Sequence, residues 1–363
     1  MFGQTFTTDI MLISLLVFGI GILIIATRPL HQSFTSDRID KVQGLHQVPV
    51  PRIGGLPVVI GIITGLWFWN IGEGITGWLL LASAIPVFLF GVAEDLHFDI
   101  SPAARLFAAI ISGVLAVWLL HAWLPDIRVP VFDDIMKFAP VGICLTIFAS
   151  TTMVHAYNLS DGLNGLCSGF ALIALLGLQA IALSVGDSEI AGITNLVMFA
   201  VAGFWGLNFL TGKIFLGDGG AYLLGHLVAW LSILLSARHP EVSPWALFLN
   251  TLVPITDTIL AIIRRLRHKQ ALDKPDRLHL HHLVFDFLRS RWLSRCPLWQ
   301  QNSLAACVIL VLAAACSVTA YHSLGFTSSA VGFCISFVLM IGVVMHILKP
   351  YSSNNLYQSK GLS

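Results

Sequence analysis

Charge is what this sequence has least of. Asp, Glu, Lys and Arg make up 11% of its 363 residues, against 56% hydrophobic residues. A soluble globular domain carries about 25% charged residues, so an ordinary soluble fold is excluded. The net charge of +1 singles out no partner, and no nucleic-acid partner is expected. Cysteine is sparse too. The six, Cys144, Cys167, Cys296, Cys307, Cys316 and Cys334, form no CxxC pair. They read as small buried hydrophobes, not as a disulfide framework. Low-complexity tracts are absent, and no polar stretch is long enough for a soluble domain. The longest, 264–300, is basic.

What is present is a succession of long apolar runs. A membrane-crossing helix needs about 20 mostly apolar residues. Eleven such runs lie near 9–27, 53–70, 76–93, 104–121, 139–157, 165–185, 191–210, 220–237, 246–263, 303–321 and 328–348. The reading is an all-α polytopic membrane protein of about eleven transmembrane helices, with residues 1–363 as one domain. The first run has no basic residue before it and Arg28 after it, the pattern of a retained anchor. With the N-terminus outside and the C-terminus in the cytoplasm, 17 of the 20 Lys and Arg residues fall in cytoplasmic loops. Positive charge marks the cytoplasmic side, so count and direction support each other. The amphipathic piece Leu280–Trp292 is expected at that surface, near anionic headgroups.

The carboxylates that remain are placed unevenly. Glu94-Asp95, Asp161, Asp218 and Asp257 sit at or near the same end of apolar runs. A carboxylate within a span costs several kcal/mol, about 2.5–3.5 at the helix centre by the lower estimates. Converging acids at the water boundary suit a metal or phosphate site. Cytoplasmic loops near 29–52, 94–103, 158–164, 211–219 and 264–302 hold them, and these loops are rich in Gly, Asp, Asn and His. Gly54-Gly55 permits close backbone approach to a ligand or a helix. Arg52 is either a headgroup anchor or a phosphate contact. The adjacent charges of Glu94 and Asp95 must be solvated or neutralised by a cation. Ser101-Pro102 starts a helix, with Asp99 as a further helix-start acid. Asn158, Asp161 and Asn164 recur every third residue and face one pocket. Gly217-Asp218-Gly219-Gly220 opens a helix, whose N–H groups favour anions while Asp218 holds a divalent cation. With no Cys nearby, oxygen donors favour Mg²⁺, so Arg277, His279, His281 and His282 read as phosphate binders. Asp257 pairs with Arg264 or another nearby base, or lines the cavity.

Taken in order, PRIGG, the acidic pair EDL, NLSDGLNGL, FLGDGGAYLLG and PDRLHLHH resemble the polyprenyl-phosphate N-acetylhexosamine-1-phosphate transferases over roughly residues 40–285. The resemblance implies transfer of a sugar-1-phosphate from a UDP-N-acetylhexosamine to undecaprenyl phosphate, with UMP released. It implies Mg²⁺, or Mn²⁺ in its place, and a site on the cytoplasmic face of a bacterial inner membrane. The product would start a surface glycan such as O-antigen, and a homodimer is admitted. Carried over residue by residue, Glu94, Asp95 and Asp161 are catalytic, and Asp218 and Asp161 bind the metal. Asn158, Asn164, Arg52, Arg277, His279, His281 and His282 bind substrate. Relatives often have Asp-Asp where Glu94-Asp95 stands, and a second Asp where Asn164 stands. The first departure shifts the main catalytic role to Asp95, and the second removes a charge from donor recognition.

Three other readings compete. The related phospho-N-acetylmuramoyl-pentapeptide translocase is disfavoured because no long insertion suggests a peptide-bearing donor. A cation- or proton-coupled secondary transporter would hold its acids at mid-membrane and show an inverted repeat. An intramembrane prenyltransferase or CDP-alcohol phosphotransferase would need a denser Asp motif than the Asp95/Asp99 spacing provides.

Overall fold

A computed structural model describes residues 2–36, 50–68, 74–269 and 277–352. Arg38, Lys41, Lys274 and Lys360, part of the cytoplasmic charge count, lie outside the described residues. The helices are α1 (Phe2–Ala26), α2 (Arg28–Thr35), α3 (Gly55–Phe68), α4 (Thr76–Ser83), α5 (Ile85–Asp95) and α6 (Pro102–Leu120). Next come α7 (Pro130–Met136), α8 (Ala139–Leu159), α9 (Leu166–Ser184), α10 (Ser188–Thr211) and α11 (Gly217–Arg238). The remainder are α12 (Pro244–Leu249), α13 (Leu252–Arg267), α14 (Leu280–Leu288), α15 (Leu298–His322) and α16 (Thr327–Leu348). Among the described residues there is no strand, only an isolated antiparallel bridge between Ser36 and Pro51. Helices dominate because backbone polar groups in lipid must be satisfied within their own segment.

Among the described residues, each of the eleven apolar runs is mainly helical, but not all are unbroken. The run 76–93 bends by 44° between α4 and α5. Pro86 explains this, since it has no N–H for the carbonyl of Ala82. Pro254 does the same for the carbonyl of Asn250, where α12 gives way to α13. By length and composition seven described helices can cross a membrane, or up to nine if each bent pair is one span. Among the described residues, the two other expected runs fall short of that length, since α3 has 14 residues and the run 246–263 is split into helices of 6 and 16. The chain is a multi-pass, all-α membrane protein.

The central helix is α11. Of its apolar window 89% is enclosed, against 17% for the peripheral α16. In a bilayer, helix association relies on close packing because lipid is as apolar as leucine, and α11 is built for that. A Cβ on Gly91 of α5 would fall on the backbone of Gly219, and one on Gly55 of α3 on the backbone of Gly220. Gly225 lies as close to the backbone of Met153 and Val154 on α8. The glycines thus serve helix contact.

The two ends of the bundle differ. At one end, Arg238 donates to Glu189 at 2.9 Å and Asp187 at 3.3 Å. Arg128 donates to the Thr327 hydroxyl at 2.8 Å and to the carbonyls of Pro240 and Val242. The Trp245 indole donates to the Ile127 carbonyl at 2.7 Å. These bonds staple the loops on that side. Asp187 is held below the usual carboxylate value despite its burial, by the Ile190 N–H, His239 and Arg238. The other end holds the acidic loops.

Candidate active site

The site is assembled around the first turn of α11. A helix N-terminus leaves backbone N–H groups without intrahelical partners. Here Asp95, the last residue of α5, takes two of them. Its Oδ1 accepts from Asp218 N at 2.8 Å and its Oδ2 from Gly219 N at 2.9 Å. The sequence suggested an anion at this helix start, and Asp95 is one. Asp95 is only 3% exposed. The close approach of Gly91 to Gly219 brings the carboxylate within reach.

Asp218 projects from the same turn between two arginines. Arg52 Nη2 donates to its Oδ1 at 2.9 Å and Arg105 Nη1 to its Oδ2 at 3.2 Å. Arg52 Nε also lies 3.7 Å from Asp95, and Arg105 Nη1 lies 3.9 Å from Glu94. The loop bearing Arg52 is fixed by its backbone. Phe215 N donates to Pro51 O, Gly54 N to Phe215 O and Gly55 N to Leu216 O, all within 2.9 Å. Arg105 also hydrogen-bonds Tyr222, one turn along α11, and the Tyr222 ring packs edge-on against His155 of α8 at 5.6 Å. Glu94 accepts from Ile100 N at 2.9 Å and so braces the turn into α6. As expected, Ser101 caps α6 with Pro102 at its first position, while Asp99 is exposed at φ +47°.

Asp161 lies in the turn between α8 and α9 and accepts from the Gly217 N–H. Burial pushes its carboxyl up to about 7, with the charge of Asp218 adding and Arg52 and Gly217 opposing. Its loop is clamped to the α11 loop by Asn208. That side chain accepts from Gly165 N at 2.5 Å and donates to Ile214 O at 2.6 Å.

The histidines close the site. Gly162, beside Asp161, leaves room for His281, because a Cβ there would meet the imidazole ring. His281 stacks on His279 at 5.7 Å and leans on His282 at 4.2 Å. Burial, with His282 and His279 beside it, holds His281 well below the usual histidine value. His279 Nδ1 lies 2.9 Å from Asp257 Oδ2, and Leu280 N donates to Asp257 Oδ1 at 2.9 Å. Among the described residues, no three His, Cys, Asp or Glu side chains are grouped to hold a metal ion.

A family model described as Glycosyl transferase family 4 matches residues 77–236, the segment that carries Glu94, Asp95, Asp161 and Asp218. Over that segment the chain is similar to this family. It is 29% identical over 255 residues to a probable undecaprenyl-phosphate N-acetylglucosaminyl 1-phosphate transferase of Bacillus subtilis, covering 69% of this chain and 70% of that one. An undecaprenyl-phosphate alpha-N-acetylglucosaminyl 1-phosphate transferase of Yersinia pestis is 29% identical over 279 residues, covering 74% and 72%. A decaprenyl-phosphate N-acetylglucosaminephosphotransferase of Mycobacterium leprae is 27% identical over 270 residues, covering 66% and 67%.

The residues singled out by the sequence do not all meet. Arg52, Glu94, Asp95, Asp161 and Asp218 converge, and His281 reaches them through Gly162. Arg277, His282 and Asn158 are half-buried in the same loops. Asn164 is turned away. It is 2% exposed, packs against Gly212, and its Nδ2 reaches Trp299 O at 3.5 Å. Asp257 meets His279, a nearby base other than Arg264. Sequence reading missed Arg105, Tyr222, His155 and Asn208. Arg105 had counted only toward sidedness, although an arginine one turn into an apolar run beside an acidic pair was the available signal. Asn208 lay inside an apolar run and gave none.

Proposed function

We propose that this protein transfers N-acetylglucosamine-1-phosphate, or that of a close N-acetylhexosamine, from its UDP-linked donor to undecaprenyl phosphate and releases UMP. The observation that carries the reading is Asp218, held between Arg52 and Arg105 beside Asp161, at one end of a multi-pass bundle. Arginine forks bind phosphate oxygens bidentately, and a lipid phosphate meets a nucleotide sugar only at the membrane boundary. The acceptor phosphate attacks the β-phosphorus of the donor and UMP leaves. Phosphoryl transfer is mainly positioning and electrostatics, which this set of groups supplies. Asp95 holds α11 in place, Asp218 sets the two guanidinium groups, and the histidines bound the pyrophosphate side.

The donor set fits Mg²⁺. That ion takes one or two carboxylates together with substrate phosphates. Burial pushes the Asp161 carboxyl up to about 7, and the opposing charge of Arg52 does not offset it. Asp161 and Asp218 would hold the ion, with Mn²⁺ as a substitute. When bound it neutralises charge on the leaving group.

The excess of Lys and Arg in the loops on this side supports a cytoplasmic site in a bacterial inner membrane. The product is of the kind from which a lipid-linked surface glycan such as O-antigen is built. The test is purified protein with radiolabelled UDP-N-acetylglucosamine, undecaprenyl phosphate and Mg²⁺. UMP and a labelled lipid should appear only with all three. Uptake of a solute by proteoliposomes without turnover would overturn the proposal.

A further inference from the structure

Asp257 lies within α13, in a segment assigned no role in the reaction above. It is 5% exposed and each of its oxygens has one donor. Oδ1 accepts from Leu280 N, the first residue of α14, and Oδ2 faces His279 Nδ1, both at 2.9 Å. One carboxylate therefore caps a helix and grips the ring preceding it. The grip has a definite chemical content. A carboxylate only accepts hydrogen bonds, so His279 Nδ1 must carry the proton. His279 is itself 4% exposed, and its ring is one end of the His279–His281–His282 series, whose middle ring, His281, rests on Gly162 beside Asp161.

We infer that Asp257 is a positioning residue of the transferase site: it fixes the ring of His279 with Nδ1 protonated, leaves Nε2 to meet substrate, and seats the histidine stack against the Asp161 loop. This rests on the transferase reading of the site. The partners on either side of a histidine decide which nitrogen faces the reaction, and here the partner comes from a different helix. The position of α14 is thus tied to the chemistry of the ring.

Counting donors yields the experiment. Asn in place of Asp257 offers one acceptor oxygen and one NH₂ group. The Leu280 N–H cannot change, so the oxygen serves the helix cap and the NH₂ faces His279. The ring must then move its proton to Nε2. Asp257→Asn should keep the melting temperature within a few degrees, lower kcat at least ten-fold, and change donor KM less. In ¹⁵N-histidine NMR, with the His279 signals assigned through His279→Gln, Nδ1 should be protonated in the wild type and unprotonated in Asp257→Asn. A second variant guards against a folding defect. In His279→Asn the amide nitrogen replaces Nδ1 and keeps the bond to Asp257, but Nε2 is gone. That variant should fold and lose turnover. Wild-type turnover in Asp257→Asn or His279→Asn, or an unchanged tautomer in Asp257→Asn, would overturn the inference. The tautomer reading needs no substrate. Absence of turnover in the wild type, with the tautomer as stated, would reject the transferase reading alone.

Discussion

Asp95 shows how far a side chain's type falls short of its role. Sequence marks it as one of an adjacent acidic pair, and the resemblance makes it catalytic. Both oxygens also accept from the N–H groups of Asp218 and Gly219. Asp95→Asn keeps one acceptor and sets an NH₂ against the other N–H. It should lose about 1–2 kcal/mol of stability, the usual worth of a helix cap, along with at least ten-fold in turnover. Thermal melts in detergent read the first, and UMP release reads the second. Activity lost with no change in melting would favour direct participation of Asp95. Asp161 makes a separate prediction. Its folded value of about 7 lies above that of an unfolded aspartate. In EDTA, stability should therefore be full below pH about 4 and decline as pH rises through about 7. Mg²⁺ at pH 8 should restore it. The decline and the rescue should both be smaller in Asp161→Asn, and equal pH profiles for the two proteins would refute the assignment. The acidic residues were legible because charge is rare in this chain. Their partners were not, since a sequence shows a carboxylate but not which N–H lies across from it.

At the scale of the element, Gly91, Gly55, Gly219 and Gly220 set how closely α3, α5 and α11 approach. Gly91→Ala would force the new Cβ onto the backbone of Gly219. Overpacking of this kind costs about 1–3 kcal/mol, and separating α5 from α11 also pulls Asp95 from its two N–H groups. Melting temperature and turnover should fall together. Gly342→Ala, with nothing within 4 Å of the added carbon, should leave both unchanged, and equal effects of the two substitutions would dismiss the packing argument. Helix existence was legible, because an apolar run in lipid has little choice but to be helical. Helix breaks were less so. Pro86 and Pro254 were visible, yet hydropathy averages through them, so each broken segment reads as one continuous run. Asn208 was hidden by the same averaging, as one polar residue in an apolar stretch.

For the whole molecule, the distribution of loops over two faces makes a prediction of sidedness. With the six native cysteines replaced, a cysteine at exposed His268 should react with an impermeant thiol reagent only in opened cells. One at exposed Ser188 should react in intact cells with a permeable outer barrier. The reverse pattern would put the site outside the cytoplasm. One feature of the same face remains, the short helix α2. It turns by 88° from α1, and His31 pins the corner, with Nε2 3.1 Å from the Ile24 carbonyl oxygen. Leu30 and Phe34 are 80% and 53% exposed, and Thr35 O accepts from Arg52 N at 2.8 Å. A helix lying flat with an apolar side floats at the headgroup boundary. It therefore acts as a depth gauge, holding Arg52 at a set height relative to the bilayer surface. An enzyme built this way measures the altitude of a phosphate and is blind to the far end of its chain. Isoprenoid phosphates of different lengths should turn over alike once dissolved in the bilayer, and one too short to stay there should be a poor acceptor.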